Sequence, residues 1–242
     1  MIQDEKDVYE WNSSKIMDYH KRQLQTPYRS TVFFEKFLSE NTNLDNCNII
    51  DIACGTGGAT KYLVELHNNS VFLGIDFNEN FAAYFQEQKN VAFEVGNLYE
   101  MSTKYANHFD GALCIQTLSW LPEYKEPLKN IFDLKTNWIA LSFLGYEGKI
   151  NFNIGIENYE NLTSEGDFTH SWYNIYSLPL MEEFFRKHGF RKFKYKEFEI
   201  DIDLKKSDNK NMGTYTLMTS QNKRIQISGA LMMPWYFVYA ER

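Results

Sequence analysis

The stretch Asp51-Ile52-Ala53-Cys54-Gly55-Thr56-Gly57-Gly58 places an acid and three glycines in one short run, just before a helix-like segment. Glycines let a backbone turn sharply and approach a ligand where a side chain would collide. Asp76 follows about 20 residues past the loop, at the end of the next apolar run, where a carboxylate can accept two hydroxyl hydrogen bonds from a ribose. Loop and acid together imply an adenosine-bearing ligand. A phosphate-binding loop needs a Gly-Lys-Ser/Thr ending, and Gly57-Gly58-Ala59-Thr60 lacks the lysine, which disfavours nucleoside triphosphate hydrolysis. A dinucleotide loop needs GxGxxG. Counted from Gly55, the third glycine position holds Thr60, and a register ending at Gly58 puts Ala53 first. An NAD-dependent oxidoreductase therefore stands as an alternative with a poor motif match. Asp51 argues the same way, because an acid in the loop repels a pyrophosphate but can receive an ammonium group or its hydration water.

These residues need a scaffold, and the chain supplies an alternation of strand and helix signals. Ile49 to Ile52, Val71 to Ile75, Val91 to Val95, Ala112 to Ile115 and Trp138 to Phe143 read as short apolar strands. Ala59, Tyr62, Leu63 and Leu66 share one helical face, and Phe81, Tyr84 and Phe85 mark a second helix that Asn78 can cap. Such alternation predicts an α/β fold with a mostly parallel sheet covered by helices on both faces. Ahead of it, Thr26-Pro27 followed by Val32, Phe33, Phe34, Phe37 and Leu38 predicts a capped amphipathic helix in a leader over residues 1–45. Leu180, Phe184 and Phe185 suggest a helix ended by Gly189. Apolar residues then shift from odd positions (Phe193, Tyr195) to even ones (Phe198, Ile200, Ile202), which predicts a bend or bulge. Ile225 to Ile227 and Leu231 to Tyr239 are expected to close the sheet as a strand pair. Residues 146–177 and 204–224 show little core periodicity and read as cap insertions within a single domain spanning 1–242.

The loop resembles motif I of the class I S-adenosylmethionine-dependent methyltransferases. The resemblance continues through Gly74-Ile75-Asp76-Phe77-Asn78, Val95-Gly96-Asn97-Leu98 and Phe109-Asp110-Gly111-Ala112-Leu113-Cys114-Ile115-Gln116. It implies a Rossmann-like seven-stranded sheet with its last strand antiparallel, and S-adenosyl-L-methionine as cofactor. By the same resemblance, Asp51, Ala53, Cys54, Gly55 and Gly57 face the methionine part and Asp76 the ribose. Phe77 and Leu98 face the adenine, and Ile115 and Gln116 the sulfonium end. Asn97 stands where the family often has Asp, and its amide oxygen can still meet the adenine amino group. Tyr19 and Arg29 of the leader are further cofactor candidates, since a guanidinium matches a carboxylate bidentately.

The acceptor is read from the segment after the fourth strand. Gln116-Thr117-Leu118-Ser119-Trp120 is unlike the Asn/Asp-Pro-Pro-aromatic stretch that serves exocyclic amines of nucleic-acid bases, and no Pro-Cys pair for cytosine carbon methylation occurs. A small polar metabolite methylated on oxygen, less readily on nitrogen, is expected. The general resemblance is to bacterial small-molecule methyltransferases, including those acting on sugars and polysaccharide precursors. His170 is the first candidate for a general base, and Trp120, Trp172, Tyr173 and Tyr215 are candidates for an aromatic acceptor wall. A non-catalytic binder of S-adenosylmethionine or another adenosine ligand is the other alternative.

The bulk properties agree with a small-molecule partner. A net charge of -7 over 242 residues disfavours nucleic acid, whose phosphates draw on clustered Lys and Arg. Three cysteines without a CxxC or Cys/His cluster argue against a disulfide framework and a structural zinc site, and no carboxylate/histidine set has metal spacing. The polar, acidic start and the lack of a long apolar run lead us to expect a cytoplasmic protein without a membrane partner.

Overall fold

The computed structural model describes residues 24–85, 89–101, 103–159, 169–206 and 213–242. Its main sheet is built from β1 at Asn48–Ile52, β2 at Val71–Asp76, β3 at Val91–Val95, β4 at Gly111–Ile115, β5 at Trp138–Tyr146, β9 at Lys192–Glu197 and β13 at Trp235–Glu241. They lie side by side in the order β3-β2-β1-β4-β5-β13-β9. The first five strands are mutually parallel. β13 inserts antiparallel between β5 and β9. Strand order reverses at β1, since β2 lies on one side of it and β4 on the other, which opens a crevice at the carboxyl ends of those strands.

Helices cover both faces. α1 (Arg29–Ser39) and α2 (Gly58–Leu66) lie on one, where Phe34, Phe37, Leu38 and Leu63 pack with Ile49, Phe72, Leu113 and Phe237. α3 (Lys125–Phe132) and α4 (Leu178–Lys187) lie on the other, where Leu128, Ile131, Met181 and Phe185 pack with Ile50, Ile52, Cys114 and Ile139. Each fully buried aromatic or aliphatic side chain contributes about 1.5–3 kcal/mol, so α1 is held chiefly by Phe34, Phe37 and Leu38. Phe34 meets Phe237 edge-on at 5.4 Å, which places the leader helix across β13.

Several elements differ from the sequence reading. α1 begins after Tyr28, in extended conformation and without a side-chain cap, so Thr26 is not its N-cap. The segment after β2 is a 3-10 helix, Glu79–Tyr84, although Asn78 does cap it, accepting from the Asn80 N–H at 3.1 Å. The closing strand pair divides: Pro234 has no N–H to donate and breaks the run. β11 (Arg224–Ser228) joins β10 (Thr214–Met218) and β12 (Leu231–Met232) in a separate three-stranded sheet, and β13 alone enters the main one. The expected bend is present where β9 ends, because Phe193 packs on the α3/α4 face while Phe198 and Ile200 pack on the α1/α2 face.

The stretch after β5 has structure of its own. β6 (Gly155–Asn158) and β7 (Thr169–Trp172) pair antiparallel, and β8 (Tyr176–Ser177) runs parallel to the end of β5. Asn174 is fully buried and pins this segment to the turn after β4. Its Nδ2 donates to the Leu121 carbonyl at 2.8 Å, its N–H to the Ser119 carbonyl at 2.7 Å, and its Oδ1 accepts the Ile154 N–H at 3.0 Å.

Candidate cofactor and acceptor site

The glycine loop leaves β1 through alternating left-handed residues: Ala53 at φ 57°, Gly55 at φ 57° and Gly57 at φ 76°. Ala53 is strained there, since a left-handed L residue costs about 1–2 kcal/mol. A Cβ on Gly57 would lie 2.4 Å from Cζ of Phe85, so this position also lacks room. The loop is tied to β2 by the Cys54 N–H, which donates to the Ile75 carbonyl at 3.1 Å, and it runs directly into α2.

Asp76 stands at the end of β2 and is nearly buried. Its Oδ2 accepts the Gly55 N–H at 2.9 Å and its Oδ1 the Asn78 N–H at 3.1 Å. A carboxylate has about four lone-pair directions, and the Phe77 N–H is a third donor here, so one direction remains for a hydroxyl. Burial raises this carboxyl, and hydrogen bonds from Asn78, Gly55 and Phe77 offset the rise in part. Beside it, Phe77 is 44% exposed, an open aromatic face next to the diol-binding acid. Asn97 is accessible and its Oδ1 accepts the Tyr99 N–H at 2.9 Å, while Leu98 is buried beneath.

Asp51 lies deeper. Its Oδ2 accepts the Thr60 hydroxyl at 2.5 Å, and its Oδ1, also buried, has no hydrogen-bond partner among the described residues. Loss of water pushes this carboxyl up to about 6, and the nearby Asp76 adds to the rise. The thiols of Cys54 and Cys114 are raised as well, mainly by burial, so they stay neutral; Cys114 reaches about 12. A buried carboxylate oxygen without a partner is costly, which fits a loop built to receive a cationic donor.

Gln116, the residue after β4, is left-handed at φ 56°. Its N–H donates to the Ser142 carbonyl at 3.0 Å and its Nε2 to the Ser30 hydroxyl at 3.1 Å, joining the end of β4 to α1. Ile115 packs partly buried against the α1/α2 core. Arg29 is turned to Asp201, which its Nε reaches at 2.7 Å, so its guanidinium is engaged on the surface. Tyr19 lies outside the described residues.

The acceptor candidates separate. Tyr173 is fully buried and meets Trp120 edge-on at 5.0 Å, so it acts as packing that seats the β6–β7 hairpin and not as an accessible wall. Successive strand residues point to opposite faces. His170 and Trp172 therefore share the other face, 4.8 Å apart edge-on, with Glu157 opposite His170 in the pairing. Tyr215 sits on β10, in the separate three-stranded sheet, with the Lys206 ammonium 5.2 Å from its ring. Thr60, Ser142 and Asn174 carry no signal in the sequence, because their partners are distant along the chain. Among the described residues, no group of three or more His, Cys, Asp or Glu is placed to hold a metal, and no helix is long and apolar enough to cross a membrane.

Comparison with known proteins agrees with this geometry. Residues 49–135 match a family described as a methyltransferase domain. The matched span contains the glycine loop, Asp76 and the turn after β4, so this part of the chain is similar to S-adenosylmethionine-dependent methyltransferases. The chain is 30% identical over 104 residues to malonyl-[acyl-carrier protein] O-methyltransferase of Bacillus cereus, a match covering 41% of this chain and 38% of the relative's length. Among solved structures, magnesium protoporphyrin IX methyltransferase from Synechocystis is similar in fold, with TM-score 0.58 and 13% identity over 99% of this chain and 100% of that one. The 1,6-didemethyltoxoflavin-N1-methyltransferase from Burkholderia thailandensis is also similar, with TM-score 0.57 and 15% identity over 100% and 91%.

Proposed function

We propose that the protein transfers a methyl group from S-adenosylmethionine to an oxygen, less readily a nitrogen, of a small polar acceptor. The observation that carries this reading is the pair of acids beside the glycine loop. Asp76 retains accepting capacity for a hydroxyl, and Asp51 holds a buried oxygen without a partner among the described residues. When bound, S-adenosylmethionine supplies a sulfonium methyl group open to in-line displacement. The chain would hold the ribose through Asp76, the amino group through Asp51, and the adenine between Phe77 and the Asn97–Leu98 turn.

Displacement at a sulfonium depends on holding the acceptor in line and dry, which assigns the chain's part to positioning. The β6–β7 hairpin is fixed beside the turn after β4 by Asn174, and its accessible aromatic face carries His170 and Trp172. We assign the acceptor to this face. For a hydroxyl acceptor, His170 is the group to which we give the proton; an acceptor carboxylate is already ionised and needs no base. Sugars and polysaccharide precursors are one class that offers hydroxyls of this kind, and the Bacillus cereus relative named for a malonyl group supports a carboxylate as another.

The two classes are separable with methyl-labelled S-adenosylmethionine and panels of carboxylate, hydroxyl and amine acceptors. Methyl esters release volatile label in base, whereas ethers and methylamines retain it. Label transfer to an oxygen acceptor supports the reading. Bound cofactor without transfer to any panel would favour a non-catalytic ligand-binding protein.

A further inference from the structure

We propose that Thr60 is a positioning residue of the cofactor site: its hydroxyl holds Asp51 by Oδ2 and so reserves Oδ1 for the cofactor's ammonium group. The proposal rests on the reading of the loop as an S-adenosylmethionine site. Thr60 is the third residue of α2 and is fully buried, as is the carboxylate it meets at 2.5 Å. A carboxylate can rotate to place either oxygen toward a donor. A fixed hydroxyl on one oxygen removes that freedom, so the second oxygen is preorganised before the ligand arrives.

The same contact sets the charge state. Thr60 donates to the carboxylate, which favours its ionised form, while burial opposes it. The other titratable groups facing Asp51 are Asp76 at the end of β2, Cys54 in the loop and Cys114 on β4. None of them is a cation, so among the described residues no protein charge balances Asp51 there. An arriving ammonium would do so. Affinity for a ligand with this group should therefore be level above the pH at which free Asp51 titrates, about 6, and fall below it. Without the Thr60 hydroxyl, titration moves upward and the oxygen is no longer aimed.

The test is calorimetric titration of the full chain with S-adenosylhomocysteine between about pH 5 and pH 8, for the native chain, Thr60→Val, Thr60→Ser and Asp51→Asn. The proposal expects a break in native affinity near pH 6, and in Thr60→Val a break moved upward by about one pH unit with about tenfold weaker binding near neutrality. Thr60→Ser should restore both, and Asp51→Asn should give weak binding without the break. A threonine that only supports the fold would lower stability without moving the break. Thr60→Val that folds and binds with native affinity and break overturns the proposal. Should Thr60→Val not fold, a break that persists in Asp51→Asn overturns it instead. A native chain that binds no S-adenosylhomocysteine at any pH overturns the cofactor reading beneath, and the proposal with it.

Discussion

Replacing Asp51 by Asn should stabilise the ligand-free protein while weakening its cofactor site. Asp51 is fully enclosed, and its carboxyl is raised from an ordinary 3.8 to about 6, first by loss of water, with the Thr60 hydroxyl pulling the other way. A rise of about 2 units corresponds to about 3 kcal/mol. The folded chain holds this proton more tightly than the unfolded chain does, so it binds more protons between those two values. Stability from this group is therefore undiminished below the unfolded value, falls as pH rises through the window, and is lowest above about 6. Asparagine keeps the shape and offers an oxygen to the Thr60 hydroxyl, but has no charge to bury. Urea denaturation should show Asp51→Asn gaining about 2–3 kcal/mol on the native chain between about pH 4.5 and about pH 8. A stability difference that does not change over that range would refute an ionised, half-partnered Asp51.

Gly57→Ala should cost at least about 2 kcal/mol in the same assay. A left-handed alanine costs about 1–2 kcal/mol, and its Cβ must displace the Phe85 ring 2.4 Å away. A loss below about 0.5 kcal/mol would contradict the loop geometry. His170→Ala should lower turnover of a hydroxyl acceptor by about 10²-fold or more, with S-adenosylhomocysteine affinity unchanged by calorimetry. Native turnover in that variant would remove His170 from the role.

Features encoded within a few residues are legible without the structure. The loop, Asp76, the five parallel strands and the Asn78 cap each depend on neighbours in sequence, and each stands where the pattern puts it. Features that depend on distant partners are not legible. Nothing local shows that Arg29 meets Asp201, that Gln116 reaches Ser30, or that Thr60 closes on Asp51. Tyr173 and Trp172 are equivalent as aromatic candidates in the sequence, yet strand alternation and the Ile154 contact bury the first and leave the second on the other face. Pro234 carries the signal that divides the last strand pair, since it cannot donate to a ladder. The helix α3 buries Leu128, Ile131 and Phe132 on one face, so its helical spacing is present in the sequence, although this helix is not among those expected from it.

In the proposed reading, the acids at the carboxyl ends of β1 and β2 hold an S-adenosyl ligand. Calorimetric titration with S-adenosylhomocysteine tests it most directly, comparing the native chain with Asp76→Ala. Saturable binding by the native chain is expected, with affinity lowered at least about tenfold in the variant, since a charge-assisted hydroxyl hydrogen bond is lost. No binding at high micromolar ligand, or native affinity in a folded Asp76→Ala, would contradict it.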